Sequence, residues 1–187
     1  MSSLTPSQVA TLSDLGRFEG KAELIGGRIV PLMPTGHRPN LVAFRIARSL
    51  DDFVRVSGRG VAYTDNMGFA VLELPSGRES FSPDAAYYLG PLPTDDMDFV
   101  EGSPTLAVEV RSKTDYGNAV EVAMAAKRAD YYLAGTPAVW DVDPRAKCIR
   151  SYRADAPDDP ILFVEGQVAD AEPTVPGWRM AVNDIFG

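Results

Sequence analysis

The chain has 187 residues, 45 % of them hydrophobic, which is enough for one ordinary core, and its formal net charge of −8 with a pI near 4.6 argues against strong, purely electrostatic attachment to nucleic acid. No apolar run approaches the roughly 18 residues of a membrane span, and the opening Met-Ser-Ser-Leu-Thr-Pro lacks the charged-then-apolar order of a secretory signal. One cysteine and one histidine exclude an internal disulfide and a Cys/His zinc cluster. The expectation is a cytoplasmic protein folded as one domain over residues 1–187, with no membrane partner.

In chain order, residues 20–33 read as two short strands joined at Gly26-Gly27, a dipeptide suited to a two-residue hairpin turn. From Asn40, Leu41, Phe44, Ile46, Leu50 and Phe53 recur at helical spacing between charged residues, which predicts an amphipathic helix. The segments 60–64, 67–74 and 82–89 read as three strands separated by polar turns. A Pro- and Asp-rich loop follows over 91–103, then a strand from Thr105 to Ser112. Asn118 is placed to cap a helix that runs to Ala134 and stops at Gly135. Residues 138–144 and 148–153 form the next strand pair, around the Asp143-Pro-Arg turn. Residues 161–165 suit an edge strand, and Ile185-Phe186 a docked terminus.

The strand, helix, strand run from Thr105 to Val142 is long enough to cross between parallel strands. Hairpins flank it, so the fold class is α/β with a mixed central sheet.

Two carboxylates stand in strands whose pattern implies burial. Leu106, Val108 and Val110 alternate along one face, which puts Ala107, Glu109 and Arg111 on the other. Asp84 lies between Pro83 and the strand-forming Ala-Ala-Tyr-Tyr. Ionised and unpaired, such groups cost several kcal/mol. Either an arginine such as Arg111 pairs with each, or the two acids converge and a divalent cation relieves their repulsion.

Lys127 falls on or beside the apolar stripe of the second helix, so its ammonium either snorkels to solvent or points at the acids. His37, in the loop before the first helix, and Glu23, in the first hairpin, have ordinary surface readings on local grounds. The basic residues Arg17, Lys21, Arg28, Arg38, Arg45, Arg48, Arg55 and Arg59 outnumber the acids in their stretch and allow a basic face on an acidic protein. Cys148, in an alternating strand with no activating neighbour, reads as a small packed side chain. No phosphate loop and no Gly-x-Ser-x-Gly turn are present.

Taken together, Ala22-Glu-Leu-Ile-Gly-Gly-Arg-Ile-Val, His37 before a helix, Ser82-Pro-Asp84-Ala, Leu106-Ala-Val-Glu109-Val-Arg-Ser, and Lys127 with Tyr131 and Gly135-Thr-Pro-Ala-Val-Trp-Asp-Val-Asp-Pro carry a resemblance. In this order and spacing, over nearly the whole chain, they resemble the Uma-two family of restriction-endonuclease-like proteins. That resemblance implies the PD-(D/E)XK nuclease fold, with Asp84 and Glu109 as the acid pair and Glu23, His37 and Lys127 on the family's other recurrent polar positions.

It further implies Mg²⁺ (or Mn²⁺) held by Asp84, Glu109 and the backbone carbonyl near Val110, DNA as the partner, and a homodimer. One departure is Arg111, which stands where the general motif has lysine and is a poor general base. The competing expectation is a catalytically inactive nuclease-fold module for binding or oligomerisation. A small-molecule enzyme using the same acids is a third.

Overall fold

The computed structural model describes residues 9–187; residues 1–8, which carry the opening Met-Ser-Ser-Leu-Thr-Pro, lie outside the described residues. Thr11 and Asp14 form a reciprocal capping box on α1 (Leu12–Gly16). The hairpin follows as β1 (Ala22–Ile25) and β2 (Arg28–Pro31). Gly26 and Gly27 both have positive φ, 56° and 66°, as a turn matching the twist of the strands requires.

Helix α2 (His37–Ser57) begins three residues earlier than the apolar spacing suggests, because Pro39 is tolerated in a first turn, where no intrahelical N–H bond is lost. Its buried stripe is Val42, Ala43, Ile46, Ala47 and Leu50, whereas Phe44 is 52 % exposed. Gly58 ends the helix in the left-handed region.

Strand β3 (Val61–Thr64) is followed by three short strands, β4 (Phe69–Ala70), β5 (Ser80–Phe81) and β6 (Ala85–Tyr88). The continuous strand expected over 67–74 is interrupted. Leu74 N bonds Arg78 O and Val71 N bonds Glu79 O, so the chain folds back at Pro75–Gly77 after two paired residues. Strand β7 (Val100–Glu101) sits inside the expected loop. Then come β8 (Leu106–Val110), α3 (Asn118–Leu133), β9 (Ala138–Asp143), β10 (Cys148–Arg153), the nine-residue β11 (Ala156–Val164), β12 (Val168–Asp170), β13 (Arg179–Ala181) and α4 (Val182–Phe186). Gly117, not Asn118, occupies the N-cap of α3, and no side chain caps it. No helix among the described residues is long and apolar enough to cross a membrane.

The central sheet has the order β11-β10-β9-β8-β6-β3. Only β8 and β9 are parallel, with α3 in the connection between them, and every other neighbouring pair is antiparallel. This is the mixed α/β architecture expected.

Alternation sorts the strand residues onto two faces. One face carries Ala85, Tyr87, Leu106, Val108, Val110, Trp140 and Val142. It packs under α2 and α4, with the rings of Trp140 and Trp178 centred 4.9 Å apart. On the other face Ala86, Tyr88, Ala107 and Val139 pack with Phe69, Phe81 and Tyr131. Further along that face, at the carboxyl ends of β8 and β9, the side chains become Glu109, Arg111, Asp141 and Asp143. Charged groups are thus gathered at one end of an otherwise apolar face.

Candidate active site

Glu109 lies in β8 opposite Asp141 of β9, and Asp84 immediately precedes β6, whose Ala85 faces Val108 of β8. The Asp84 backbone N–H donates to Val108 O at 3.0 Å, and Asp84 Oδ2 accepts from Val110 N at 2.8 Å. The Asp84 carboxyl is thereby turned onto the strand that carries Glu109, on the same side of the sheet.

Glu109 Oε1 accepts from the Tyr131 hydroxyl at 2.6 Å and lies 2.9 Å from Lys127 Nζ. The ring of Tyr131 stacks on Phe81 with centroids 4.0 Å apart, which fixes where its hydroxyl reaches. Lys127 also contacts Glu23 Oε1 at 3.1 Å. Glu23 is only 3 % exposed; Ser82 N donates to it at 3.1 Å, and Arg78 pairs with its second oxygen. Arg78 then reaches Asp130 at 3.0 Å and lies over the Phe81 ring. On the other side, Asp84 Oδ1 meets Lys21 Nζ at 2.8 Å, and Lys21 also holds Asp65 at 2.6 Å.

These contacts set the ionisation. Burial pushes the Glu109 carboxyl up, and the nearby charges of Asp84 and Glu23 add to this, so the pull of Lys127 and the Tyr131 hydrogen bond is outweighed. Glu23 is desolvated too, yet Lys127 and Arg78 together hold it below the ordinary carboxylate value. Burial would drive the proton from Lys127, but Glu109 and Glu23 keep it on and raise its pKa. The hydroxyl of Tyr131 is pushed well up by burial and by Glu109, so it remains a donor. Lys21 is held charged, its desolvation outweighed by Asp84 and Asp65.

Five acids (Glu23, Asp65, Asp84, Glu109, Asp130) stand against three bases (Lys21, Arg78, Lys127), which leaves an excess of two negative charges if all are ionised. Among the described residues no group of three or more His, Cys, Asp or Glu side chains converges as a ready-made metal cage. Asp84, Glu109 and the Val110 carbonyl are nonetheless hard oxygen donors, the kind that Mg²⁺ and Mn²⁺ prefer with waters completing the shell. A divalent ion also matches the charge excess, so the residues present fit such a cation.

The other expected residues fall elsewhere. His37 opens α2, whose apolar stripe covers the opposite face of the sheet. It is exposed and makes no hydrogen bond or ion pair among the described residues, so the structure does not join it to the cluster. Arg111 does not pair with Glu109. It is 5 % exposed and grips Asp141 with two bonds of 2.7 and 2.6 Å and Glu121 with two more.

Of the early basic residues, Arg17, Arg48 and Arg55 pair with Asp14, Asp52 and Asp51, and Arg38 and Arg45 hold the carbonyls of Phe186 and Ile185. Cys148 is buried, as its strand pattern suggests.

Lys21, Arg78, Asp130 and the Tyr131 hydroxyl escaped the sequence reading as site groups. Lys21 carries one usable signal: it stands two residues before Glu23 and so on the same side of an extended chain. Arg78 carries none, because it joins Glu23 across 55 residues from a turn.

Two hollows of about 690 and 590 Å³ are bordered by the Pro91–Glu101 segment and by Leu72, Leu74 and Leu133, and none of these five acids lines them. Glu109 borders a cavity of about 40 Å³ together with Lys127, Arg128, Tyr131 and Asp141, room for about one water.

Three comparisons bear on this arrangement. The family model Uma2, described as "Putative restriction endonuclease", matches residues 11–183. A crystal structure from Anabaena variabilis described as a "putative nuclease belonging to DUF820" superposes with a TM-score of 0.70, covering 94 % of this chain and 97 % of that chain at 17 % identity. At that identity the likeness speaks for the fold. No curated protein matches the chain.

Proposed function

Because this chain belongs to the Uma2 family of restriction-endonuclease-like proteins, we propose that it is a metal-dependent endonuclease hydrolysing DNA phosphodiester bonds, with Asp84 and Glu109 as its cation-binding pair. What supports the reading is that Asp84 Oδ2 accepts from Val110 N, the residue after Glu109 in β8, that the charge of Asp84 bears on Glu109, and that the ammonium of Lys127 lies 2.9 Å from Glu109.

Mg²⁺ or Mn²⁺ held by Asp84, Glu109 and the Val110 carbonyl would neutralise phosphate charge and lower the pKa of a water. The Val110 N–H fixes the Asp84 carboxyl, and Tyr131 fixes that of Glu109, so neither has to be reoriented when a substrate arrives. Lys127, kept protonated by two acids, steadies the negative charge that develops on the attacked phosphate. Glu23 serves Lys127, which it contacts at 3.1 Å and helps keep protonated. His37 is given no step. The cavity of about 40 Å³ beside Glu109 is far too small to enclose a substrate, which favours a polymer lying across the face over a small molecule. Two copies of the chain would cut both strands of a duplex, and sedimentation of the purified protein measures that assembly.

Cleavage of plasmid and single-stranded DNA with Mg²⁺ or Mn²⁺ tests the activity, with Asp84→Ala and Glu109→Ala as controls. Loss in both variants is expected, and unchanged cleavage in both would discard the mechanism.

One observation favours a second reading, a nuclease fold kept as a binding module without cleavage. The side chain at the motif-lysine position, Arg111, is tied to Asp141 and Glu121 and cannot serve as a base. Calorimetry separates the two, because such a module binds no Mn²⁺ through Asp84.

A further inference from the structure

Lys21 is the member of the cluster that the proposed chemistry leaves without a role. Its ammonium sits between two carboxylates, 2.6 Å from Asp65 Oδ1 and 2.8 Å from Asp84 Oδ1. The three residues come from separate segments: Lys21 just ahead of β1, Asp65 just after β3, and Asp84 just ahead of β6. The Lys21 side chain is only 17 % exposed, so this is a seated charge, not a loose surface pair. An ammonium is a compact point charge, and a cation placed between oxygens of two carboxylates is the arrangement by which a divalent ion bridges them. Asp84 is common to both sides of the site. One of its neighbours is Lys21, and the other is the β8 segment that carries Glu109 and Val110. A carboxylate shared between two positive centres is the layout of two-cation phosphodiesterase sites, in which both the attacking and the leaving oxygen are stabilised.

We propose that Lys21 stands in for a second divalent cation, so that the protein carries one metal ion at Asp84 and Glu109 and a built-in ammonium between Asp84 and Asp65. The inference rests on the cation-binding role given above to Asp84 and Glu109. A charge supplied by the chain does not depend on the metal concentration, and it leaves the Asp65 side of the site closed to a free ion.

Mn²⁺ titration of the full chain, by calorimetry and electron paramagnetic resonance, reads the stoichiometry. The wild type should bind one Mn²⁺, Lys21→Ala two, and Lys21→Ala combined with Asp65→Asn one again. In the wild type at saturating Mg²⁺, ¹⁵N spectra of the lysine ammonium groups should keep the Lys21 signal, which needs no variant to fold.

One Mn²⁺ in both wild type and Lys21→Ala overturns the inference and leaves the Asp84–Glu109 reading intact. So does loss of the Lys21 ammonium signal on adding Mg²⁺, or two ions in the wild type, since Lys21 would then be a displaced counter-ion. No ion in the wild type but one Asp65-dependent ion in Lys21→Ala sinks the Asp84–Glu109 reading and, with it, the one-metal site inferred here. No ion in any form sinks both.

Discussion

The Tyr131 hydroxyl lies 2.6 Å from Glu109 Oε1, so an α3 residue clamped by stacking on Phe81 holds a carboxylate that projects from the centre of the sheet. Tyr131→Phe keeps the stack and removes only this bond. Hydrogen bonds to a charged group contribute about 1.5–3 kcal/mol, so urea unfolding should show a loss of about 2 kcal/mol. The Glu109 carboxyl, already raised by burial, should titrate still higher in ¹³C NMR. An unmoved Glu109 titration would mean that the hydroxyl does not act on it.

The two buried glutamates should respond to pH with opposite sign. Glu109 has a folded pKa above the unfolded value of 4.5, so the native state binds the extra proton and stability falls as pH rises through the window above 4.5. Glu23 has a folded pKa below 4.5, so its contribution is present above that value and is lost as pH falls through the folded pKa. The stability of Glu109→Gln relative to wild type should therefore climb from pH 4.5 upwards. That of Glu23→Gln should be poorest at neutral pH and improve in acid. Thermal unfolding across pH 3–8 distinguishes these slopes, and parallel curves would contradict the assignment.

Lys127→Met strips the ammonium shared by Glu109 and Glu23. Removing one partner of a buried ion pair costs about 3–5 kcal/mol, and a drop of that size in denaturant stability is expected. Mn²⁺ should restore part of it, because a cation at Asp84 and Glu109 replaces some of the lost positive charge. A variant as stable as the wild type would show that the lysine is not seated between the two acids.

Arg111→Lys recreates the general nuclease motif on paper, yet it should not raise the rate of DNA cleavage. Asp141 and Glu121 surround that position and would capture the new ammonium before it reached Glu109. Lysine cannot reproduce the paired bonds to Asp141, so a stability loss of about 2 kcal/mol is expected alongside. Faster plasmid nicking by this variant would show that the motif position faces the chemistry after all.

The alternation of Leu106, Val108 and Val110 was enough to place Glu109 on the opposite face, and the helical spacing put Lys127 on or beside the apolar stripe of α3 without choosing between solvent and the acids, a choice the 2.9 Å contact with Glu109 settles. Both are local periodicities. The partners of Glu23 were not legible, because Arg78 and Ser82 stand just after a turn and just after a two-residue strand, with no pattern of their own. His37 shows the converse. Its place in a motif order says nothing about which face its helix covers, and the stripe of Val42, Ile46 and Leu50 puts that helix under the other side. The 67–74 run alternated well enough to suggest a full strand, but the turn chemistry of Pro75-Ser-Gly ended the pairing.

The division of the sheet into an apolar side and a charged end has a bearing on folding itself. A slip of β8 by one residue against β6 or β9 would drive Glu109 into the layer occupied by Val108, Val110 and Trp140, and would face a valine with Lys127 and Asp84. Such a misaligned sheet would bury a bare carboxylate in hydrocarbon and take from Lys127 one of its two acid partners. The charge of Glu109 should therefore also penalise misalignment of β8, and a Glu109→Leu variant should populate out-of-register sheets and aggregates more readily than variants lacking core methyl groups.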